Sequence, residues 1–90
     1  MAKKRSRTDI IHDMLMYTHS KPNGVKPTHL MYKANMSHAQ MQQYLVDLEE
    51  NGFMQRVEEK SGQRILITEK GILYLQKIIE MKTFEEAFGL

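Results

Sequence analysis

The chain has 90 residues, of which 41% are hydrophobic and 27% are charged, and it contains no cysteine. This length suits one domain, and this composition is typical of a globular protein rather than a disordered or fibrous one. The absence of cysteine excludes a disulfide framework, a thiolate metal site and a cysteine nucleophile, and it suits a reducing interior. The longest apolar runs have four residues, whereas a membrane helix needs about 20, and the N-terminus lacks a secretory signal. We therefore expect a cytoplasmic protein.

Positive charge is concentrated at the N-terminus, in a segment that we predict to be a basic arm over residues 1–7. Its cations are Lys3, Lys4, Arg5 and Arg7, and the rest of the chain carries a net charge of −2. Basic segments of this kind commonly contact the phosphates of nucleic acids. The alternative is a solvated tail that only aids solubility.

The first third of the sequence predicts two helices. Thr8 and Asp9 form a capping residue followed by an acid, which is typical of a helix start, and apolar residues recur at helical spacing over about 9–19. The segment 20–24 has turn chemistry and ends this helix. Pro27 is suited to the first position of a second, short helix.

A third helix follows a tight break at 35–36. Ser37 and Gln40 have the spacing of a capping box at its start, and Asn51 with Gly52 is typical of a left-handed C-cap at its end. A short helix, a turn of about three residues and a longer capped helix are the parts of a helix-turn-helix.

The spacing of the apolar residues changes after the third helix. Two short β-rich runs, at 53–57 and 64–67, flank a charged turn that contains glycine, and they predict a hairpin. A hairpin in this place is a wing, and a last helix follows it at 68–82. The sequence therefore predicts an α+β, mostly helical, winged helix-turn-helix domain over residues 8–82, with three helices, a β-hairpin wing and a C-terminal helix. Residues 83–90 are expected to form a tail or a short helical turn, and the alternative is that they continue the last helix.

The last helix has two apolar seams on a helical wheel. One, which we expect to pack on the domain, consists of Ile72, Leu75 and Ile79. The other lies elsewhere on the helix and consists of Tyr74, Ile78 and Met81. Because exposed apolar stripes usually mark interfaces, we predict a homodimer through this second seam. The alternative is that Phe84 and Phe88 fold back and cover it.

The stretch KANMSHAQMQQYLVDLEENGFM, from Lys33 to Met54, resembles the archaeal winged-helix DNA-binding proteins of the 10a type and related small archaeal regulators. The run ILITEKG at 65–71 is similar to their entry into the last helix, and the basic start is similar as well. The resemblance covers nearly the whole chain. It implies a DNA-binding winged helix that dimerises through its final helix, as a regulator or a chromatin component. Better-known members extend a longer coiled coil than this chain holds before residue 90.

The third helix has a polar face suited to reading DNA. In a helix-turn-helix the N-terminal part of this helix enters the major groove, where Gln bonds adenine in a bidentate manner and Ala or Val touches a thymine methyl. The predicted DNA-contacting residues of this region are Ser37, His38, Ala39, Gln40, Gln42, Gln43 and Val46. The acids Asp47, Glu49 and Glu50 lie later, where the helix leaves the groove. The alternative is that the glutamines are merely polar surface residues.

Further backbone contacts are predicted outside the third helix, at Tyr32, Lys33, Arg56, Lys60 and Arg64. Arg56 and Arg64 are expected to lie near each other on the hairpin and to form a small positive edge. The alternatives are a charge-balanced hairpin, since two acids adjoin these cations, and a core-edge role for Tyr32.

The sequence therefore predicts a double-stranded DNA-binding protein, either a transcriptional regulator or an architectural protein of the nucleoid. The four histidines lack metal-pair spacing. A glycine-rich phosphate loop and a Ser-His-Asp arrangement are also lacking, so we expect neither a cofactor nor enzymatic activity. The alternative is a protein–protein interaction module, because fold does not fix function.

Overall fold

The computed structural model describes residues 5–89. In chain order its elements are α1 (Arg7–His19), α2 (Pro27–Lys33), α3 (His38–Glu50), β1 (Met54–Glu59), β2 (Gly62–Ile67) and α4 (Glu69–Ala87). This order confirms the predicted fold, an α+β, mostly helical winged helix-turn-helix. In residues 5–89 no helix has both the length and the apolar sequence needed to cross a membrane.

Helix α1 begins earlier than the sequence predicts, because its cap is Ser6 and not Thr8. The Ser6 hydroxyl accepts a hydrogen bond from the backbone N–H of Asp9 at 3.1 Å, and the Asp9 carboxylate accepts one from the backbone N–H of Ser6 at 3.0 Å. These reciprocal bonds form a capping box. They place Arg7 inside the helix and shorten the predicted arm.

The turn of the helix-turn-helix depends on Asn35, which adopts a left-handed backbone with φ of 55°. The N–H of Met36 donates to the carbonyl of Met31 at 3.0 Å, which closes a Schellman motif at the end of α2. The Ser37 hydroxyl then accepts from the N–H of Gln40 at 3.1 Å and starts α3. The predicted break and the Ser37 cap are confirmed, but the reciprocal bond from the Gln40 side chain that a capping box requires is absent from the described residues.

The wing is an antiparallel pair in which Met54 lies opposite Ile67 and Glu59 lies opposite Gly62. A third segment pairs with the edge of β2 that faces away from β1. Val25 exchanges two backbone hydrogen bonds with Ile65 there, at 2.8 and 2.9 Å. This bridge ties the connection between α1 and α2 to the wing. The sequence does not predict it, since a single bridging residue has no periodic pattern.

The core lies between the helices and the inner face of the wing. Its largest fully buried apolar side chains are Met14, Leu15, Leu30, Met41, Leu45 and Ile65. Thr18 is buried among them, and its hydroxyl donates to the Met14 carbonyl at 2.8 Å, which satisfies the polar group.

Helix α4 packs on the domain through a face that shares Leu75 with the predicted seam but includes Ile78 in place of Ile79. Leu75 and Ile78 are buried, at 4% and 3% exposure, whereas Ile79 is 41% exposed. The Tyr74 ring stacks on Phe53, with ring centroids 4.4 Å apart. The predicted assignment of Ile78 to a dimer interface is therefore wrong. Tyr74 is half-buried and Met81 is 55% exposed, so both stay predicted interface residues.

The rotation of α4 is explained by Gly71 at its start. A Cβ at this position would lie 2.1 Å from the carbonyl oxygen of Phe53 and 2.8 Å from a side-chain carbon of Ile67. Only glycine allows so close an approach of the helix to the wing strands. This contact turns the face that holds Leu75 and Ile78 inward, which a wheel based on apolar residues alone does not reveal.

The C-terminal residues continue α4 as far as Ala87, so the predicted separate tail over 83–90 is wrong for residues 83–87. The Thr83 hydroxyl donates to the Ile79 carbonyl at 2.9 Å and so lies within the helix rather than capping a new one. Phe84 and Phe88 contact each other along α4, with ring centroids 4.7 Å apart, and both remain exposed. They do not fold back over the domain.

Candidate nucleic-acid interface

Helix α3 presents one exposed face opposite the core. Ala39, Gln43 and Val46 are exposed on it, and we call these three residues the open face. Gln42 is half-buried at its edge, and the backward-facing Met41 is fully buried. The remaining predicted residues of this region lie at the start of the helix, with Ser37 and His38 exposed and Gln40 half-buried.

Two acids flank the open face, and each is paired with an arginine from another element. The guanidinium of Arg7 lies 3.4 Å from the Asp47 carboxylate and 5.3 Å from the centre of the Tyr44 ring. On the other side, Arg56 of β1 forms an ion pair with Glu49. These contacts pair two of the three acids of α3, whereas Glu50 at its end is exposed and has no partner among the described ion pairs.

Charge is segregated along the chain, and the open face lies in a segment that contains no acid. All eleven Asp and Glu residues lie outside the segment 14–46, which covers the end of α1, all of α2 and most of α3. That segment contains Lys21, Lys26 and Lys33 together with three histidines. A surface of this kind attracts polyanions. Apolar periodicity does not reveal this segregation, whereas the spacing between successive acids along the chain does.

The predicted basic arm is only partly free. Arg5 donates to the Asp13 carboxylate at 3.0 Å and to the backbone carbonyl of Asn35 at 2.8 Å, so it links α1 to the helix-turn-helix turn. Arg7 lies in α1 and is paired as described above. The prediction that Arg7 belongs to the arm is therefore wrong, whereas Arg5 lies before α1 in the predicted arm and is held there by two hydrogen bonds. Lys3 and Lys4 lie outside the described residues.

The wing does not bring its two arginines together. Arg56 lies opposite Ile65, whereas Arg64 lies opposite Val57, so their side chains project from opposite faces of the hairpin. Arg64 donates to the Glu59 carboxylate at 2.9 Å. The predicted shared positive edge is therefore wrong, because adjacent register positions alternate between faces. Lys60 is exposed at the turn of the hairpin.

At the end of α2, Tyr32 and Lys33 are both exposed, and Tyr32 has 72% of its surface accessible. The alternative role of Tyr32 as a core-edge aromatic is therefore wrong. Both residues line a shallow cleft with Tyr17 and His29. Within residues 5–89, no three His, Asp or Glu side chains are close enough to hold a metal ion.

One titratable pair is strongly perturbed and lies away from the open face. Lys82 of α4 hydrogen bonds to Asp9 and, together with the capping bonds from Ser6, holds the pKa of the Asp9 carboxyl well below its ordinary value. The same hydrogen bond raises the pKa of Lys82. This pair joins the start of α1 to the last helix, so its role is structural.

Comparisons with known proteins give one sequence-family match and several structural ones. The profile of the winged helix-turn-helix family matches residues 4–86. A search of curated proteins gives no match. Among solved structures, Sso10a-2, a DNA-binding protein from Sulfolobus solfataricus, is similar with a TM-score of 0.83 and 27% identity, over 93% of this chain and 85% of that one.

Two larger proteins share the fold at lower identity. A MarR family protein from Bacillus stearothermophilus matches with a TM-score of 0.73 and 19% identity, over 98% of this chain and 61% of that one. The transcriptional regulator BldR from Sulfolobus solfataricus matches with a TM-score of 0.72 and 18% identity, over 89% of this chain and 60% of that one. The chain thus spans about three fifths of the length of these two regulators.

Proposed function

Because this chain belongs to the winged helix-turn-helix family, we propose that it is a double-stranded DNA-binding regulator that reads the major groove with α3. The predicted resemblance to the archaeal 10a-type proteins is confirmed by the similarity to Sso10a-2. The observation that carries the proposal is the open face of α3, which is exposed while both flanking acids are held by arginines. We propose that the protein acts on the nucleoid, in the cytoplasm.

The side chains of the open face match the chemistry of A·T base pairs. Gln43 offers an amide that bonds the N6 and N7 atoms of adenine, and Ala39 and Val46 offer methyl groups for contact with thymine. Gln42 extends this readout at the edge of the face. Because α3 contains no Lys or Arg, guanine readout by this helix is not part of the proposal.

Backbone contacts surround this reading surface. The hydroxyl of Ser37 and the imidazole of His38 lie at the start of α3, where peptide N–H groups favour a phosphate. Lys60 at the wing turn and Lys33 at the end of α2 supply exposed cations. Lys3 and Lys4 add charge at the N-terminus. Phosphate contacts of this type position the protein without reading sequence.

We also propose that the protein is a homodimer through the outer face of α4. This face exposes Leu73, Met81, Phe84 and Phe88, with accessibilities of 61%, 55%, 62% and 67%. Large exposed apolar residues in one stripe are costly in water and usually mark an interface. A dimer would place two α3 helices on successive half-sites of a duplex.

The experiment that tests this function measures duplex binding by fluorescence anisotropy across a salt series, with a selected operator-like duplex and a random one. A DNA-reading protein binds both with a strong salt dependence and prefers the selected sequence. A protein without measurable duplex affinity at 50 mM salt would not be a DNA-binding regulator, and its α3 face would then be a surface for another protein.

A further inference from the structure

A cleft of about 300 Å³ lies on the side of the domain formed by the end of α1, the start of α2 and β2. Its charged and aromatic lining residues are Tyr17, Lys21, Lys26, His29 and Arg64. A second cleft of about 250 Å³ shares Tyr17 and His29 with it and adds Tyr32 and Lys33. We call the two clefts together the basic trough. Residues of α3 do not line either cleft, so the trough is separate from the open face.

The trough has the charge of an anion site. Lys21, Lys26 and Arg64 line the larger cleft, and Lys33 lines the smaller one, whereas no acid among residues 5–89 lines either. Arg64 is already paired, because it donates a hydrogen bond to the Glu59 carboxylate at 2.9 Å. Lys21 and Lys26 are exposed and carry no such partner among the described ion pairs. Their charges are therefore available to a ligand.

The backbone holds these two lysines in place. The N–H of Gly24 donates to the carbonyl of Lys21 at 2.9 Å and closes a turn, and the next residue, Val25, is bonded to Ile65 of β2. Gly24 has φ of +89°, and a Cβ there would lie 3.2 Å from the Ile65 carbonyl oxygen. Glycine thus lets the turn lie against the strand. Anchoring the turn lowers the backbone part of the entropy cost of binding, while the two lysine side chains still lose rotamer freedom.

The aromatic residues add a second kind of contact. The ammonium of Lys21 lies 5.8 Å from the centre of the Tyr17 ring, and Tyr32 is 72% exposed beside it. Cations that alternate with exposed aromatic rings are the pattern that binds phosphates and stacks bases in nucleic-acid sites. A simple inorganic-ion site would need only the cations.

We propose that the basic trough binds a nucleotide unit, with its phosphate on Lys21 and Lys26 and its base against Tyr17 and Tyr32. Arg64 and His29 form the wall of the phosphate end. The nucleotide unit comes from one of two sources, a free nucleotide that acts as an effector or the flank of a bound nucleic acid. The site does not depend on α3, so it stands apart from the proposed major-groove reading.

The test compares the wild-type protein with the double variant K21Q/K26Q and with the control K77Q, which removes an exposed lysine on α4. Adenosine monophosphate is the first probe, and its binding is measured by amide chemical shifts in NMR. We expect saturable shifts in residues 17–33 that weaken about tenfold in K21Q/K26Q, because hydrogen bonds to charged groups are lost. K77Q should bind like the wild type. Equal melting temperatures confirm that all three proteins are folded.

The second probe is a random duplex in a salt series, and it separates the two sources. If K21Q/K26Q also flattens the slope of log K against log salt by about one to two units per protomer, the trough holds the phosphates of the bound nucleic acid. If only adenosine monophosphate binding weakens, the trough holds a free nucleotide. The proposal is overturned if K21Q/K26Q and K77Q behave alike with both probes. Lack of duplex binding by the wild type would instead contradict the proposed function and leave the nucleotide titration valid.

Discussion

The guanidinium of Arg56 on β1 forms an ion pair with the carboxylate of Glu49 on α3 and thereby joins the wing to the helix that carries the open face. Both side chains are about three quarters buried, with 23% and 27% of their surface accessible. Arg56 also donates to the Gln63 side chain at 3.3 Å. An arginine engaged in this way is a structural link, although its position in the wing suggests a phosphate contact.

The first prediction follows from that link and concerns Glu49→Gln. The variant releases Arg56 toward DNA, so duplex affinity rises and the salt dependence steepens by about one unit of slope. The free energy of unfolding falls by about 1–2 kcal/mol, because a largely buried guanidinium loses its charged partner. Glu50→Gln is the matched control, since it removes the same charge from an exposed site. Equal slopes in the two variants would show that Arg56 stays off the DNA.

The second prediction concerns readout by the open face. Gln43→Ala should weaken binding to the selected duplex by about 1–3 kcal/mol, the value of a bidentate base contact, and leave the random duplex unchanged. Gln76→Ala on the exposed side of α4 is the control for loss of a surface glutamine. Anisotropy titrations with both duplexes measure the ratio of the affinity for the selected duplex to that for the random duplex. A selected-site affinity unchanged by Gln43→Ala would exclude this side chain from base recognition.

The parts of this fold that sequence predicts are those with local chemical signals. The turn before α3 and its Ser37 cap are determined by neighbouring residues, and so is the C-cap, where Gly52 has φ of +78°. The sequence predicts the cap of α1 at Thr8 instead of Ser6, because both residues are of a capping type. Only the reciprocal hydrogen bonds between Ser6 and Asp9 distinguish them.

The candidate site was less predictable, because its features depend on contacts between distant segments. Arg7 and Asp47 are 40 positions apart, and only the folded chain brings the start of α1 close to the second half of α3. The rotation of α4 depends on the contact between Gly71 and the Phe53 carbonyl. Neither relationship has a periodic pattern. The open face itself was predictable, since it lies opposite a clear apolar stripe.

The third prediction concerns the oligomeric state. The wild-type protein should have the mass of a dimer at tens of micromolar in light scattering, and F84S/F88S should be a monomer, because the change removes the aromatic end of the exposed stripe. The melting temperature of the isolated domain should change little, since both rings are exposed. Leu73→Ser, at the other end of α4, tests how far the interface extends. A monomeric wild type would contradict the proposed dimer.

The fourth prediction concerns the pair between Asp9 and Lys82. Because the pKa of Asp9 is lowered in the folded protein, chiefly by its hydrogen bond to Lys82, the ionised carboxylate stabilises the fold above the unfolded pKa of about 3.9. This stabilisation is lost as pH falls below that value toward the folded pKa. Lys82→Gln should raise the Asp9 pKa toward its ordinary range, as measured by NMR titration of the carboxyl carbon.

Denaturation curves provide the thermodynamic check on this pair. The difference in unfolding free energy between the wild type and Lys82→Gln should be constant above about pH 5 and shrink as pH falls through about 4. Glu80→Gln, which removes an exposed carboxylate paired with Lys77, should show a weaker pH dependence. A difference that does not change with pH would indicate that Lys82 contributes packing rather than charge.

The last prediction separates the two halves of the basic N-terminus. Lys3 and Lys4 are proposed phosphate contacts, so K3Q/K4Q should flatten the salt slope by up to about two units per protomer on selected and random duplexes alike. The ratio of the two affinities should stay the same, because phosphate contacts do not read sequence. Melting temperature should not change.

Arg5→Gln should have the opposite profile, because Arg5 is bonded to Asp13 and to the Asn35 carbonyl at the helix-turn-helix turn. We expect a lower melting temperature and a salt slope close to that of the wild type. If Arg5→Gln flattened the slope as much per charge as K3Q/K4Q, Arg5 would leave the turn to contact DNA. A fall in the affinity ratio in K3Q/K4Q, mainly on A·T-rich duplexes, would instead indicate that the lysines enter a minor groove.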